Sequence, residues 1–482
     1  MRLFGKQKSI SSYSLPTDDY FNTLRDKEFS RLDKLGQTYL DFTGGNLHPS
    51  SLLEMHYQLL QKTILGNPHS TNPSSQMSTK LVEEARNKIL QYFNADDYYC
   101  IFTSNASGAL KIVGECYPFE ENGHFLLISD NHNSVNGIRE YCKSKGGDFT
   151  YSPIRQSDLR IDEQKLEENL RSFDHKKYKL FGFPAQSNVS GVKHDWKWVE
   201  IAKKQGWDVL LDAAAFVPTC KLDLKQVQPD FVSVSFYKIF GFPTGIGCLL
   251  VKKDSFPKLK KHWFAGGTVD YVSVKESNHL LIANHERFEN GTLNYLDIPA
   301  VKLGLDFIES IGIERIRTRI VELTGLFLQE MTKIKHSNGT SIVRLFGPQD
   351  TDQRGGTVIL NFQDPEGNTF PFDWVEHQAN KELISIRSGC FCNPGIDEIN
   401  HCISNEEMTQ YFTSRKEKEF DSTTGYLKYM SQQIGRMRGA TRVSFGIATS
   451  TKDIEKFVKF VSKLQNKSVK GIDELNDGGV LK

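Results

Sequence analysis

From Tyr98 onward the chain alternates short, continuously apolar runs with amphipathic stretches. The runs are 98-YYCIFTS-104, 124-HFLLIS-129, 178-YKLFGFPA-185, 208-DVLLDAA-214, 231-FVSVSF-236 and 246-IGCLLVK-252. Apolar residues at nearly every position, rather than at alternate ones, predict strands covered on both faces. Between them, 195-DWKWVEIAKKQG-206 sets Trp198, Ile201 and Ala202 on one side of a helix and offers Gly206 as a stop. Ahead of the first run, 76-QMSTKLVEEARNKILQYF-93 predicts a helix with Met77, Leu81, Ala85, Ile89 and Phe93 along one stripe. This alternation predicts an α/β fold with a large, mostly parallel sheet.

Beyond Pro299 the texture changes. A helix at 300-AVKLGLDFIESIG-312 leads into a region with strands at 356-GTVILNF-362 and 441-TRVSFGI-447, closed by a helix at 452-KDIEKFVKFVSKL-464. The expected division is an arm and helix over 1–40 that joins a smaller α+β domain, a large ligand-binding domain over 41–300, and the smaller domain over 301–465. The polar stretch 466–482 is expected to be a disordered tail.

Composition adds limits. At 482 residues the chain is long enough for two domains around one site. A net charge of +1 gives no electrostatic reason for a nucleic-acid or membrane partner. No apolar run reaches the length of a membrane span. The start, MRLFGKQKSI, is basic but lacks the apolar core of a secretory signal, so the cytoplasm is the expected compartment. In that setting the eight cysteines are expected to be reduced, most of them buried as small apolar residues. The loop 389-GCFCNPG-395 stands apart, because two thiols flank an aromatic between Gly and Pro.

The candidate chemistry lies at the ends of the predicted strands. Lys238, in 233-SVSFYKIFGFPTGIG-247, follows a buried strand directly, where α/β proteins place ligands. A partly desolvated lysine loses basicity and serves as an imine-forming amine; read alone, this segment is better taken as a surface lysine on a strand-end loop. Asp212 ends another apolar strand, where a lone carboxylate is costly unless paired. A pyridinium nitrogen is a suitable partner, and capping the next helix is the alternative. In 101-IFTSNASGALKIVG-114, backbone N–H groups around Ala106 and Ser107 suit a phosphate at a helix start, unless Asn105 simply caps that helix. His132, after a further strand, is placed either to stack on a cofactor ring or to sit in solvent.

These segments, in this order, resemble the class V aminotransferases, which include the cysteine desulfurases. The resemblance runs from about Thr38 to Leu464. Within that family the chain is most similar to the amino-terminal, desulfurase-like domain of the molybdenum cofactor sulfurases. The segments carrying it are FTSNASGALKIVGECYPF, FPAQSNVSGVK, SVSFYKIFGFPTGIG, FENGTLNYLDIPA, RSGCFCNPG with ISNEEM downstream, and TRVSFGIAT. It implies fold type I and pyridoxal 5′-phosphate carried as a Schiff base on Lys238. It further implies Asp212 on the ring nitrogen, His132 stacked on the ring, and Asn188 near the phenolic oxygen. Ala106, Ser107, Ser235 and Tyr237 surround the phosphate, Tyr237 standing where many desulfurases have His. Thr292 matches a residue that reaches the phosphate of a neighbouring subunit, which implies a homodimer.

The resemblance also implies the reaction: desulfuration of L-cysteine, with a persulfide formed on a loop thiol and alanine released. Read against the desulfurase pattern R-x-G-x-x-C, 387-RSGCFC-392 selects Cys392 as the nucleophile. In an extended segment Cys390 points to the same side, where exchange would reach it, and whether it shares the sulfur stays open. Arg442 matches the arginine that pairs with the substrate carboxylate; a structural ion pair is the alternative. No metal is expected, since a zinc site from Cys390, Cys392, His401 and Cys402 has awkward spacing. Other readings are a class V transaminase, a selenocysteine or other β-eliminating lyase, and a non-catalytic scaffold. The carboxy-terminal domain of the eukaryotic sulfurases is not expected within a sequence ending at Lys482, which leaves the sulfur acceptor, a protein or molybdenum cofactor, open.

Overall fold

The apolar runs pair into one seven-stranded sheet in the computed structural model, which describes residues 13–415, 438–470 and 472. Its strands are β1 (Tyr98–Thr103), β2 (Gly123–Ile128), β3 (Asp148–Ser152), β4 (Tyr178–Pro184), β5 (Asp208–Asp212), β6 (Phe231–Ser235) and β7 (Gly247–Lys252). The spatial order is β1-β7-β6-β5-β4-β2-β3. Only β7 runs against its neighbours; the other pairings are parallel. The α/β expectation holds, and the physical reason is visible in burial: β2, β6 and nearly all of β7 are inaccessible on both faces. Strand β3 was not among the predicted runs. It is an edge strand, paired to β2 alone, so its sequence DFTYS alternates polar residues into a half-exposed position.

The helices that position the site are α1 (Asp18–Glu28), α2 (Pro73–Tyr92), α3 (Ala106–Cys116), α4 (Lys197–Lys204), α5 (Ile298–Ile311), α6 (Ile313–Lys333) and α7 (Thr451–Ser462). The stripe predicted for α2 needs correction. Its buried face is Ser75, Ser78, Val82, Ala85, Arg86 and Ile89, while Met77 is exposed. A row of i, i+4 residues drifts about 40° per step, so a stripe drawn back from Phe93 leaves the core by its first turn. Helix α4 stops as predicted, with Gly206 at φ +77°. The 21-residue α6 was not anticipated; it buries Ile316, Ile320, Leu323, Phe327 and Met331.

A second sheet collects β8 (Val343–Phe346), β9 (Thr357–Phe362), β10 (Arg387–Gly389) and β11 (Ala440–Ser444) in the order β8-β9-β11-β10, all antiparallel. Helix α1 is pinned beside it by ion pairs from Arg25 to Asp453 and from Arg319 to Asp18, each 2.7 Å. The chain then runs along this region: Thr38–Tyr39 pair in parallel with Ile384–Ser385, and Asp41 bridges to Ser444. That crossing carries Asp41 from the amino-terminal segment to the end of β11. Of the predicted tail, Asn466 and Val469 dock by hydrogen bonds to His336 and Asp364, and residues 471 and 473–482 lie outside the described residues. Among the described residues no helix is long and apolar enough to cross a membrane.

Candidate active site

The residues picked out at strand ends converge because the strands bearing them are parallel. Ala106, His132, Asn188, Asp212 and Lys238 follow β1, β2, β4, β5 and β6, so all lie off the same carboxyl edge of the large sheet. Lys238 sits in the single helical turn Tyr237–Phe240, closed by Gly241 at φ +81°. A Cβ at Gly241 would overlap the His48 backbone, so this sharp turn admits only glycine. Burial pushes the Lys238 amine below its ordinary value; Asp212 opposes the shift, while Arg442 and Arg387 add to it. Cys392 lies close enough to act on the same amine.

Asp212 is buried, and its Oδ1 accepts from the Ala214 N–H at 3.1 Å and the Ser233 hydroxyl at 2.9 Å. Among the described residues no donor reaches Oδ2. A buried carboxylate with one free oxygen calls for a cation, which a protonated pyridine ring supplies. His132 is neutral by its surroundings: burial lowers its basicity, against the pull of Asp212. Its Nδ1 accepts the Ser134 N–H at 3.1 Å, so the ring proton is on Nε2.

At the start of α3, Asn105 does cap the helix, but its side chain takes only the Gly108 N–H. Ala106 N–H meets the Ser235 hydroxyl at 2.8 Å, and the Ser107 and Ser134 hydroxyls pair at 2.6 Å. This cluster of hydroxyls and N–H groups at a helix N-terminus fits a phosphate. The pyridoxal 5′-phosphate residue set therefore fits on both its charged ends. The Tyr237 ring packs against Gly45, within electrostatic reach of Arg387 and Asp41. Thr292 is exposed, accepting at 3.4 Å from Asn67.

The thiol loop departs from expectation in shape. Phe391 and Cys392 both have left-handed backbones, at φ +56° and +55°, so the C-x-C pair is not extended. Cys392 is exposed; Cys390 is half-buried, and burial pushes its thiol up to about 12. Five of the eight cysteines are buried as anticipated. Among the described residues no three His, Cys, Asp or Glu side chains are placed to hold one metal ion.

Sequence reasoning missed a two-arginine clamp. Asp41 Oδ1 lies 2.6 Å from Arg442 Nη2, and its Oδ2 takes Arg387 Nε at 2.9 Å. Arg442 also donates to the Asn188 carbonyl at 2.9 Å and stacks over Phe391, while its buried Nε has no partner. The ion pair is thus what the structure displays at Arg442. The signal in the sequence was a carboxylate inside the apolar run 39-YLDF-42.

A buried strand-end lysine, a carboxylate for a ring nitrogen and a helix start for a phosphate on a mostly parallel sheet define a fold type I pyridoxal-phosphate enzyme. The chain belongs to the aminotransferase class-V family, whose model matches residues 38–457. It is 33% identical to the molybdenum cofactor sulfurase of Arabidopsis thaliana and 34% to that of Homo sapiens, each match covering 91% of this chain. Those matches cover 57% and 50% of the relatives, so the chain spans about half their length. Among solved structures it is similar to a cysteine desulfurase from Thermococcus onnurineus, with a TM-score of 0.75 at 23% identity over 94% of this chain and 98% of that one. A cysteine desulfurase from Escherichia coli gives 0.71 at 18% identity, covering 92% and 98%. At these identities the structural likeness establishes the fold.

Proposed function

We propose that the chain is a cysteine desulfurase-type sulfurtransferase that takes sulfur from L-cysteine onto Cys392. The observation that carries this reading is an exposed thiol held on a loop within electrostatic reach of the Lys238 amine. A transaminase has no use for a thiol there. Bound pyridoxal phosphate supplies covalent attachment of the amino acid and an electron sink. Lys238 anchors it and, with its basicity lowered, moves protons. Asp212 keeps the ring nitrogen protonated, and His132, neutral and carrying its proton on Nε2, packs on the ring. Ala106, Ser107 and Ser235 hold the phosphate, with Asn188 near the phenolic oxygen.

Arg442 orients the substrate carboxylate, sharing its charge with Asp41. The Cys392 thiolate attacks the substrate Sγ, so an S–S bond forms and the Cβ–S bond breaks. The electron pair stays on carbon, which takes a proton to give alanine. The molybdenum cofactor sulfurase names of its relatives support a protein or molybdenum cofactor as the sulfur acceptor.

In the same reading the large and small domains divide near residue 300, the setting is cytoplasmic, and Thr292 serves the neighbouring site of a homodimer. Sedimentation checks the last point: a monomer that holds its cofactor fully refutes the shared site. The main test is mutational. Lys238→Ala should abolish the visible absorbance of the cofactor. Cys392→Ser should keep that absorbance and lose persulfide formation from L-cysteine, while Cys390→Ser retains a substantial part of the first transfer. First sulfur on Cys390 alone, or alanine output unchanged by both serines, refutes the assignment.

A further inference from the structure

We infer that Asn393 is a positioning residue that sets the approach of Cys392, acting through the buried carboxylate of Asp130. The inference rests on the reading of Cys392 as the sulfur acceptor. Between β10 and the helix Pro394–Asn400 the chain makes two successive left-handed residues, Phe391 and Cys392. Side chains other than glycine, Asn and Asp resist that conformation, so neighbouring contacts must hold it.

Arg442 stacks over Phe391, and the hydrogen bonds to the Phe391 and Cys392 carbonyls come from the loops after β4 and β2. The Asn188 amide donates to the Phe391 carbonyl at 2.8 Å, and the Asn133 N–H donates to the Cys392 carbonyl at 2.7 Å. Asn393 completes the set: its Nδ2 donates to Asp130 Oδ1 at 2.6 Å and to Asn188 Oδ1 at 3.1 Å. Asn393 and Asp130 are both fully buried, so this amide–carboxylate bond is shielded from water and charge-assisted. The remaining partners of Asp130 are the Ser187 hydroxyl at 2.9 Å and His194 Nε2 at 3.3 Å.

The amide is oriented by its donors. Asn393 Oδ1 is buried without a partner, and the flipped amide would set that oxygen against the Asp130 carboxylate. An orphaned acceptor is tolerated here because both N–H groups are committed. Asp130 lies two residues before His132, so one buried carboxylate anchors both the loop expected over the cofactor ring and the loop bearing the thiol. Loss of the anchor should free the thiol loop without disturbing the residues that hold the cofactor.

The test uses the full, cofactor-loaded chain and three variants: Asn393→Ala, Asn393→Asp, and Asn393→Asp combined with Asp130→Asn. Three signals are read: the visible spectrum, single-turnover persulfide formation from L-cysteine, and alkylation of Cys392 by iodoacetamide. Asn393→Ala should keep the spectrum, slow persulfide formation at least tenfold, leave KM within about twofold, and speed alkylation several-fold as the loop is released. Asn393→Asp, which opposes two carboxylates, should be slower still. The double variant restores an amide–carboxylate pair with the donor on the other side and should recover at least tenfold over Asn393→Asp. Wild-type persulfide rate and alkylation in Asn393→Ala would overturn the inference, as would a double variant no better than Asn393→Asp. Should Asn393→Asp not fold, the alanine variant decides. A wild type that forms no persulfide at all defeats the reading of Cys392, whereas the alkylation arm still reports on the tether.

Discussion

Asp41→Asn is the substitution whose cost the structure fixes most closely. Asp41 stands between Arg442, whose side chain is 3% exposed, and Arg387, whose side chain is 51% exposed. The change keeps shape and removes charge, leaving two guanidiniums facing one another. Stranding the buried Arg442 costs about 3–5 kcal/mol, because its charge is already desolvated and keeps only the Asn188 carbonyl. The half-exposed Arg387 arm adds about 0–1 kcal/mol. The new amide oxygen still accepts one hydrogen bond and returns about 1 kcal/mol. The net loss is about 2–5 kcal/mol. By the size scaling of unfolding entropy this chain shifts about 1–2 °C per kcal/mol, so melting should fall by about 2–10 °C. Differential scanning fluorimetry of the cofactor-loaded protein measures it. A second arm uses Asp41→Ala with added formate, a small carboxylate that fits the vacated position and should raise the melting temperature of the variant but not of the wild type. If Asp41→Asn melts within 1 °C of wild type, or formate shifts both proteins alike, the clamp does not carry the charge assigned to it.

Two further outcomes follow from groups whose acidity burial has moved. Cys390, pushed up to about 12, is thiolate in only about one molecule in 10⁴ at pH 8, so iodoacetamide should label the exposed Cys392 and Cys402 first; peptide mass spectrometry showing Cys390 modified as fast as Cys392 contradicts this. His124, stacked 3.6 Å from Phe173, is lowered by burial to about 4. Between pH 4 and its ordinary value of 6.5 the unfolded chain binds the extra proton and the folded chain does not, so stability falls as pH is lowered through that window. His124→Asn should flatten the melting-versus-pH slope there, and an unchanged slope counts against the assignment.

Six apolar runs in the sequence found six strands of the large sheet, because a strand covered on both faces has no polar positions to disguise it. The edge strand Asp148–Ser152 escaped for the converse reason, being open to water on one side. Lys238 and Asp212 were legible individually, since each places a charge against a buried strand end, where the cost of desolvation demands a role. Their company was legible only through family motifs. Of the clamp only the carboxylate inside 39-YLDF-42 was a signal; its arginine partners, and the tether, were not legible. Asp41 meets Arg442 across 401 residues, and Asn393 meets Asp130 across 263. Hydrophobic periodicity and turn chemistry are local properties and specify elements one at a time. Which polar side chains share a buried space is decided only when two sheets and the loops between them close on one another, and there each charge must find a partner or lose its solvation uncompensated.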